Sequence, residues 1–416
     1  MARIYLDYAA TAPIRPEVLR AMQPFLRESF GNPSSVHALG SAAHEAVEQA
    51  REAVARLIGG AAAGVIFTSG GTEAINLAIQ GVALERRVPG HLITSSVEHP
   101  ATLETVRFLE RRGWRATYLP VDGRGSIDPN DLRRTLASDT VLVSLMHANN
   151  EVGTLQPILE AAAIAREAGV LLHVDAVQSA GKVPLPVGEG GPDLMSLSAH
   201  KLGGPKGVGA LYVRPGVALA PLIHGGGQEE GLRSGTENVA GIAGFGAATE
   251  VAARDMAQES GRLAELRDRL ADGIQYSTSG AHPTGPPTQR LPNFAHFCFE
   301  GLDGHWLVKE LSRTGIYAAT GSACSSGKTE PSHVLSAMGI PPELARGALR
   351  LTLGWGTTAD EVREAITLIP QAVDLLRKRA ATGVDLAAEY ARDCRTARGR
   401  AVSGFLGKAL SRLKRN

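Results

Sequence analysis

Only three cysteines occur in 416 residues, too few for a disulfide framework, so the chain is expected in a reducing compartment. Long apolar runs are missing as well: no stretch reaches membrane-spanning length, and the opening MARIYLDYAATAP has no apolar signal core. A soluble cytoplasmic protein is the expectation. Excess charge of one sign is absent too, since the formal net charge is +1, which argues against a general nucleic-acid binder. What is present suits a soluble enzyme, with 44% hydrophobic and 20% charged residues. The length suggests a large domain plus a smaller one. Forty-eight glycines cluster in short runs and mark tight turns and close backbone approaches.

SAAHEAVEQAREAVARLIGG (41–60) has the periodicity of an amphipathic helix stopped by Gly59 and Gly60. Apolar runs follow, separated by helical stretches: VIFTS (65–69), HLITSS (91–96), TVLVSLM (140–146), VLLHVDA (170–176), DLMSLSA (193–199) and VGALYV (208–213). Continuous rather than alternating runs fit strands buried on both faces. Their alternation with helices predicts a mostly parallel sheet wrapped by helices, with ligands outside the carboxyl ends of its strands. A long helical region (about 239–273), NFAHFCFE, a helix near 304–314, LRLTLG and a helix from Asp360 predict a smaller α+β domain. GAHPTGPPTQRLP between them reads as a surface connection.

ATGSACSSGKTEPSH (319–333) sets Cys324 among glycine, serine and alanine. A cysteine that merely packs keeps bulky apolar neighbours, as Cys298 has in NFAHFCFEG; a thiol that must move, react or be reached needs the smaller setting. DLMSLSAHKLGGPKGVGALYV ends an apolar strand on Lys201, between His200 and a glycine-rich turn. Such a lysine is a plain surface charge or, with its pKa lowered, a Schiff-base former for a carbonyl cofactor. Lys206 is the one substitute nearby in sequence. HVDAVQS offers Asp175 and Gln178 past a buried strand; the acid can hold a pyridinium nitrogen protonated, or cap a helix. FTSGGTEAINLAI runs strand, Gly70-Gly71-Thr72, helix, an anion site suited to phosphate but without Walker lysine spacing. SSVEHPATLET puts His99 before a proline-started helix, where a ring can stack on a planar cofactor, move protons, or simply close a turn. The histidines are dispersed, and Cys298 and Cys394 lack ligand-spaced neighbours, so no metal site is expected.

With GSACSSG and EPSHVL, this set resembles pyridoxal-phosphate enzymes of the class V aminotransferase family, and among them cysteine desulfurases of the NifS/IscS type. The resemblance runs in order through YLDYAATAP, FGNPSSVH, FTSGGTEA, EHPA, HANNEVGTLQPI, HVDAVQS, LSAHKLGGPKG, HGGGQEEGLRSGTEN, SACSSG and ALRLTLG, over roughly residues 3–375. It departs where the family often has alanine for Gly71 and glycine for Ala199. The implied fold is α/β, a fold-type-I pyridoxal-phosphate transferase with a mostly parallel central sheet and a smaller α+β domain. Residues 15–250 would form the large cofactor-binding domain, 1–14 and 251–380 the small domain with the cysteine loop, and 381–416 a basic extension.

By resemblance, Lys201 carries pyridoxal 5'-phosphate as a Schiff base and His99 stacks on the ring and shuttles protons. Asp175 pairs with the ring nitrogen and Gln178 with the ring oxygen. Gly71, Thr72, Ser198 and His200 hold the phosphate, with Thr236 reaching in from the second subunit of a homodimer. Asn150 and Arg350 take the substrate carboxylate, and Asn150 also borders the cofactor. The implied reaction converts L-cysteine to L-alanine, with Cys324 attacking the substrate sulfur and passing it on as a persulfide. The acceptor would be a protein, an iron–sulfur scaffold or one serving tRNA thiolation. Six extended loop residues beside Cys324 span about 20 Å at roughly 3.3–3.6 Å each, enough for such delivery. The rivals are a selenocysteine lyase, another class V enzyme, or a catalytically silent adaptor, against which the intact Lys201, Asp175, His99 and Cys324 count.

From Ala391 to Asn416 eight basic residues face one acid. Val402, Phe405, Leu406, Ala409, Leu410 and Leu413 fall on one helical face, among or beside Lys408, Arg412, Lys414 and Arg415. Gly404 and Gly407 each cost such a helix about 1 kcal/mol. The segment is expected to need a partner surface, an acidic protein, RNA or membrane, and to leave the chemistry untouched.

Overall fold

The computed structural model describes residues 3–185, 190–321 and 331–382. Cys324, Cys394 and the chain from 383 onward lie outside the described residues. The N-terminal half sets strands and helices in alternation. In chain order they are β1 (Ile4–Tyr5), α1 (Pro16–Arg27), α2 (Ala38–Ile58), β2 (Val65–Thr68), α3 (Gly71–Leu84), β3 (His91–Ser95), α4 (Pro100–Glu110), β4 (Arg115–Leu119), α5 (Pro129–Thr135), β5 (Thr140–Met146), α6 (Ile158–Glu167), β6 (Leu171–Asp175), β7 (Leu194–Ser198) and β8 (Gly209–Val213). Seven of the strands form one sheet in the order β2-β8-β7-β6-β5-β3-β4. Only β8 runs against its neighbours, β2 and β7; the other pairings are parallel.

The sequence runs account for these strands. Every residue of β5 is buried, which explains a run with no polar alternation. β4 is different: RATYL lies at the sheet edge and is mostly half-exposed, so no apolar run announces it. α2 ends at Gly59, whose φ of 73° is the left-handed conformation that stops a helix cheaply.

One face of the large sheet packs on α2 and the first part of α7 (Val239–Ser277), burying Val47, Val54, Phe67, Ile242, Phe245 and Ala252 in one cluster. The other face packs on α3 and α4 through Ile75, Leu77, Val106 and Leu109. The C-terminal half adds β9 (Ala281–Pro283), β10 (Phe294–Phe299), α8 (Gly304–Thr314), β11 (Ile316–Tyr317), α9 (His333–Ala337), α10 (Pro342–Ala345), β12 (Ala348–Thr352) and α11 (Ala359–Ala381). Strands β12, β10 and β9 form an antiparallel sheet. β9 lies inside the stretch expected to be a bare connection: Ala281–Pro283 pairs with Phe297–Phe299 despite its flanking prolines and glycines. A second core collects Leu263, Leu270 and Ile274 of α7 with Phe297, Leu311, Leu351, Ile369 and, from the far end of the chain, Ile4 and Leu6. One helix, α7, thus feeds both cores.

The N-terminal segment crosses between them. β1 pairs with β11, Asp7 bridges to Thr352, and the N–H groups of Ala12 and Arg15 donate to the carbonyls of His200 and Gly203. No helix among the described residues is long and apolar enough to cross a membrane.

Candidate active site

The parallel strands deliver their carboxyl ends to one place, outside the sheet edge where ligands of such folds bind. A cavity of about 230 Å³ opens there. After β2 comes the start of α3, whose Gly71 and Thr72 line it; after β3 comes His99, after β5 Asn150, and β6 ends on Asp175 with Gln178 just beyond. β7 ends on Ser198, and the 3-10 turn that follows supplies His200 and Lys201. Nine residues proposed from sequence therefore share one cavity. The turn after Lys201 must be glycine: a Cβ on Gly204 would lie 2.9 Å from the Ala199 carbonyl oxygen.

Lys201 is the electrostatic centre. Its Nζ donates to the carbonyls of Ala9 (2.5 Å) and Ala10 (2.8 Å). Gln178 Nε2 shares the Ala9 carbonyl at 2.9 Å, while Gln178 Oε1 is buried without a partner. Burial pushes the Asp175 carboxyl up to about 6, against the Val177 N–H and the charge of Lys201, which pull it down. His200 meets the Thr11 hydroxyl through Nδ1 at 3.1 Å. Burial and then the charges of Lys201, Lys206 and Lys182 push His200 down to about 4.

His99 caps α4: its Nδ1 accepts the Ala101 N–H at 3.1 Å. Burial, then Lys201 and His333, push it down to about 4, so the ring is neutral at pH 7. With Nδ1 accepting, its proton sits on Nε2. A second proton requires giving up the Ala101 contact.

The site fits pyridoxal phosphate on its own chemistry. No side chain caps α3 at Gly70, which leaves an anion-favouring helix end beside the Ser198 hydroxyl and His200. A side chain at Gly71 would crowd that end, its Cβ lying 2.7 Å from Val177 Cγ2. The second N–H of the Gln178 amide, the first being held by Ala9, suits a ring oxygen. Asp175, costly as a bare buried carboxylate, suits a protonated ring nitrogen.

Arg350 does not line the cavity. It sits on β12, with its side chain only 3% exposed. Nη2 donates to Asp7 Oδ1 at 2.8 Å, Nη1 to the carbonyls of Asn150 (2.8 Å) and Gly321 (3.4 Å), and Nε is buried without a partner. It thus stands directly behind Asn150. Thr236 is exposed in the segment before α7 and is not part of this cavity. Cys324 lies outside the described residues, but the residues flanking that stretch converge: Ser332 Oγ donates to Glu151 Oε2 at 2.5 Å, and a Cβ on Gly321 would lie 3.1 Å from the same oxygen.

Sequence reasoning missed several neighbours. Asp7, Thr11 and the two alanine carbonyls come from the N-terminus, whose YLDYAATAP carried only family likeness. Glu98, one residue before His99, is fully buried; burial pushes it up to about 8, against hydrogen bonds from the Met146 N–H and the Ser95 hydroxyl. His333 Nε2 donates to the Glu98 carbonyl at 2.9 Å. Lys206 is exposed, whereas Lys182 is a second lysine near enough to feel the charge of Lys201. Nothing in GKVP marks it without the fold.

The chain is similar to known proteins over most of its length. The family model described as aminotransferase class-V matches residues 4–364. The cysteine desulfurase IscS of Dictyoglomus turgidum is 51% identical over 375 residues, covering 90% of this chain and 95% of that protein. The cysteine desulfurase IscS of Methanosarcina thermophila is 48% identical, covering 90% and 93%. A solved structure described as a NifS-like protein superposes with a TM-score of 0.85 at 40% identity, covering 90% of this chain and all of the other.

Proposed function

The chain belongs to the class-V aminotransferase family and is a pyridoxal-phosphate-dependent cysteine desulfurase, and we propose how its own residues divide the work. Pyridoxal phosphate, when bound, supplies an electron sink that opens the substrate's sulfur to attack. Lys201 holds it covalently, and Gly71, Thr72, Ser198 and His200 take its phosphate. Asp175 takes the ring nitrogen, Gln178 the ring oxygen, and His99 lies against the ring. The observation that supports this division is the convergence of five strand ends on the one cavity.

Asn150 and Arg350 orient the substrate carboxylate, Arg350 from behind the Asn150 backbone it already holds. Cys324 attacks the substrate's sulfur as a thiolate. An S–S bond forms as the substrate's C–S bond breaks, the electron pair stays with carbon, and protonation there gives L-alanine. A free thiol with pKa near 8.5 is only a few per cent ionised at neutral pH, so the thiol proton must leave to a base. A resting His99 takes it only by releasing Ala101, which makes that capping contact part of proton movement.

The enzyme acts as a cytoplasmic homodimer, with Thr236 of each copy completing the other's phosphate site. The large domain (15–250) carries the cofactor, and the small domain (1–14 and 251–380) carries the cysteine loop. The two cores, joined by α7, support that division. Sulfur passes from Cys324 to an acceptor protein for iron–sulfur cluster assembly or tRNA thiolation. The basic extension docks weakly to an acidic partner; unchanged, salt-independent transfer after its removal would count against that.

The test uses sulfur-labelled L-cysteine and the purified enzyme. One alanine should form per sulfur released, with label on Cys324. Cys324→Ser should keep the cofactor spectrum and bind cysteine, yet form no persulfide. Label on Cys298 or Cys394 with Cys324 unmodified would overturn the assignment.

A further inference from the structure

Lys182 is a partly buried lysine that the reaction, as divided above, does not use. It closes the turn after β6: its N–H donates to the Ser179 carbonyl at 3.0 Å, and its own carbonyl accepts the Ser260 hydroxyl at 2.5 Å. The neighbouring Gly181 has φ +67°, and a Cβ there would come within 2.5 Å of Leu202 Cδ2 and 2.8 Å of Ala252 Cβ. The turn is therefore pressed between α7 and the residue that follows Lys201. Its Nζ donates to the Gln178 carbonyl at 2.6 Å. Among the described residues no carboxylate pairs with it. The charged group it feels is Lys201; burial and then Lys201 push it down to about 7.

The partner of this lysine is the carbonyl of Gln178, the residue whose side chain reaches the cavity and the Ala9 carbonyl. The Nζ contact therefore pins the backbone from which the Gln178 amide is aimed. We propose that Lys182 is a positioning residue of the cofactor site, fixing Gln178 through its backbone.

This inference rests on Lys201 being the cofactor lysine. The test follows capture of pyridoxal phosphate by the apo full-length chain, in which amine and aldehyde join with loss of water. Capture is read as visible absorbance, and retention as the cofactor's dissociation constant. In Lys182→Met retention should weaken several-fold. Lys182→Gln, which keeps an N–H donor for the Gln178 carbonyl, should restore retention to near wild type. Wild-type retention in Lys182→Met, or a loss in Lys182→Gln as large as in Lys182→Met, would overturn the proposal. The underlying reading fails separately, if Lys201→Ala captures the cofactor as the wild type does.

Discussion

Replacing Arg350 by lysine separates two duties that share one guanidinium. In the folded chain its fork is occupied by the Asp7 carboxylate on one terminal nitrogen and by the Asn150 and Gly321 carbonyls on the other. A lysine ammonium is a point charge and cannot span both ends. It keeps either the Asp7 pair or the carbonyl contacts. A hydrogen bond to a charged group contributes about 1.5–3 kcal/mol, and this site is nearly closed to solvent, so losing one end should cost about 2 kcal/mol of stability. If the same fork also receives the substrate carboxylate, a similar loss weakens cysteine binding, and about 2 kcal/mol is roughly thirtyfold. The assay pairs denaturant unfolding with a cysteine dissociation constant read from the cofactor's spectral change. Stability should fall and the dissociation constant should rise together. Asp7→Asn is the control: it removes the counter-charge without shortening the side chain, so stability should drop while cysteine binds no more weakly. Lost stability with unchanged cysteine affinity in Arg350→Lys would refute the substrate role. Arg350 would then be a clamp that ties the N-terminal segment to the loop after β5.

Other expectations follow from the buried titrating groups and from Lys201. Lys201→Ala should lose both alanine production and the visible cofactor absorbance; wild-type alanine yield from that variant would remove the cofactor assignment. Glu98 has its folded pKa raised by burial to about 8, so the folded state holds a proton that the unfolded chain releases, and stability falls as pH rises from about 4.5 through 8. Glu98→Gln should therefore stabilise increasingly across that window, as seen in unfolding at pH 5 and pH 8; a pH-independent difference would contradict it. His173 is buried between the Ser144 and Ser196 hydroxyls, and burial holds it down at about 3. The unfolded chain takes up its proton first, so stability is full above about 6.5 and is lost as pH falls toward 3. His173→Gln should flatten the acid limb of the stability curve, and an unaltered slope would mean that another group sets it.

The fold was legible where burial is two-sided. β5 spans the same seven residues as the run TVLVSLM, and β2, β3, β6, β7 and β8 fall within a residue or two of theirs. β4 escaped notice because an edge strand with one solvated side needs no apolar run. β9 escaped because proline and glycine around it signal a turn, while its pairing to β10 depends on tertiary contact. Within the site, residues at strand ends announced themselves through their local motifs: His99 before proline, Lys201 before glycines. Partners reached across the chain did not. Asp7 meets Arg350 from 343 positions away, and Ser332 meets Glu151 from 181. Lys182 was invisible for a related reason, since its meaning depends on where Leu202 and α7 come to rest against its turn.

The grip of Ala9 and Ala10 on Lys201 also sets an order of events at the ribosome. The segment holding them is synthesised long before what anchors it: β1 pairs with β11, and the Ala9 N–H donates to the Thr352 hydroxyl. Until those partners emerge, Ile4 and Leu6 have no core to enter, and the clasp around the lysine cannot close. A nascent chain can thus complete its large sheet while Lys201 still lacks the Ala9 and Ala10 carbonyls. Such late closure of long-range contacts is slow by nature, so the surroundings of the lysine are completed only after the large sheet.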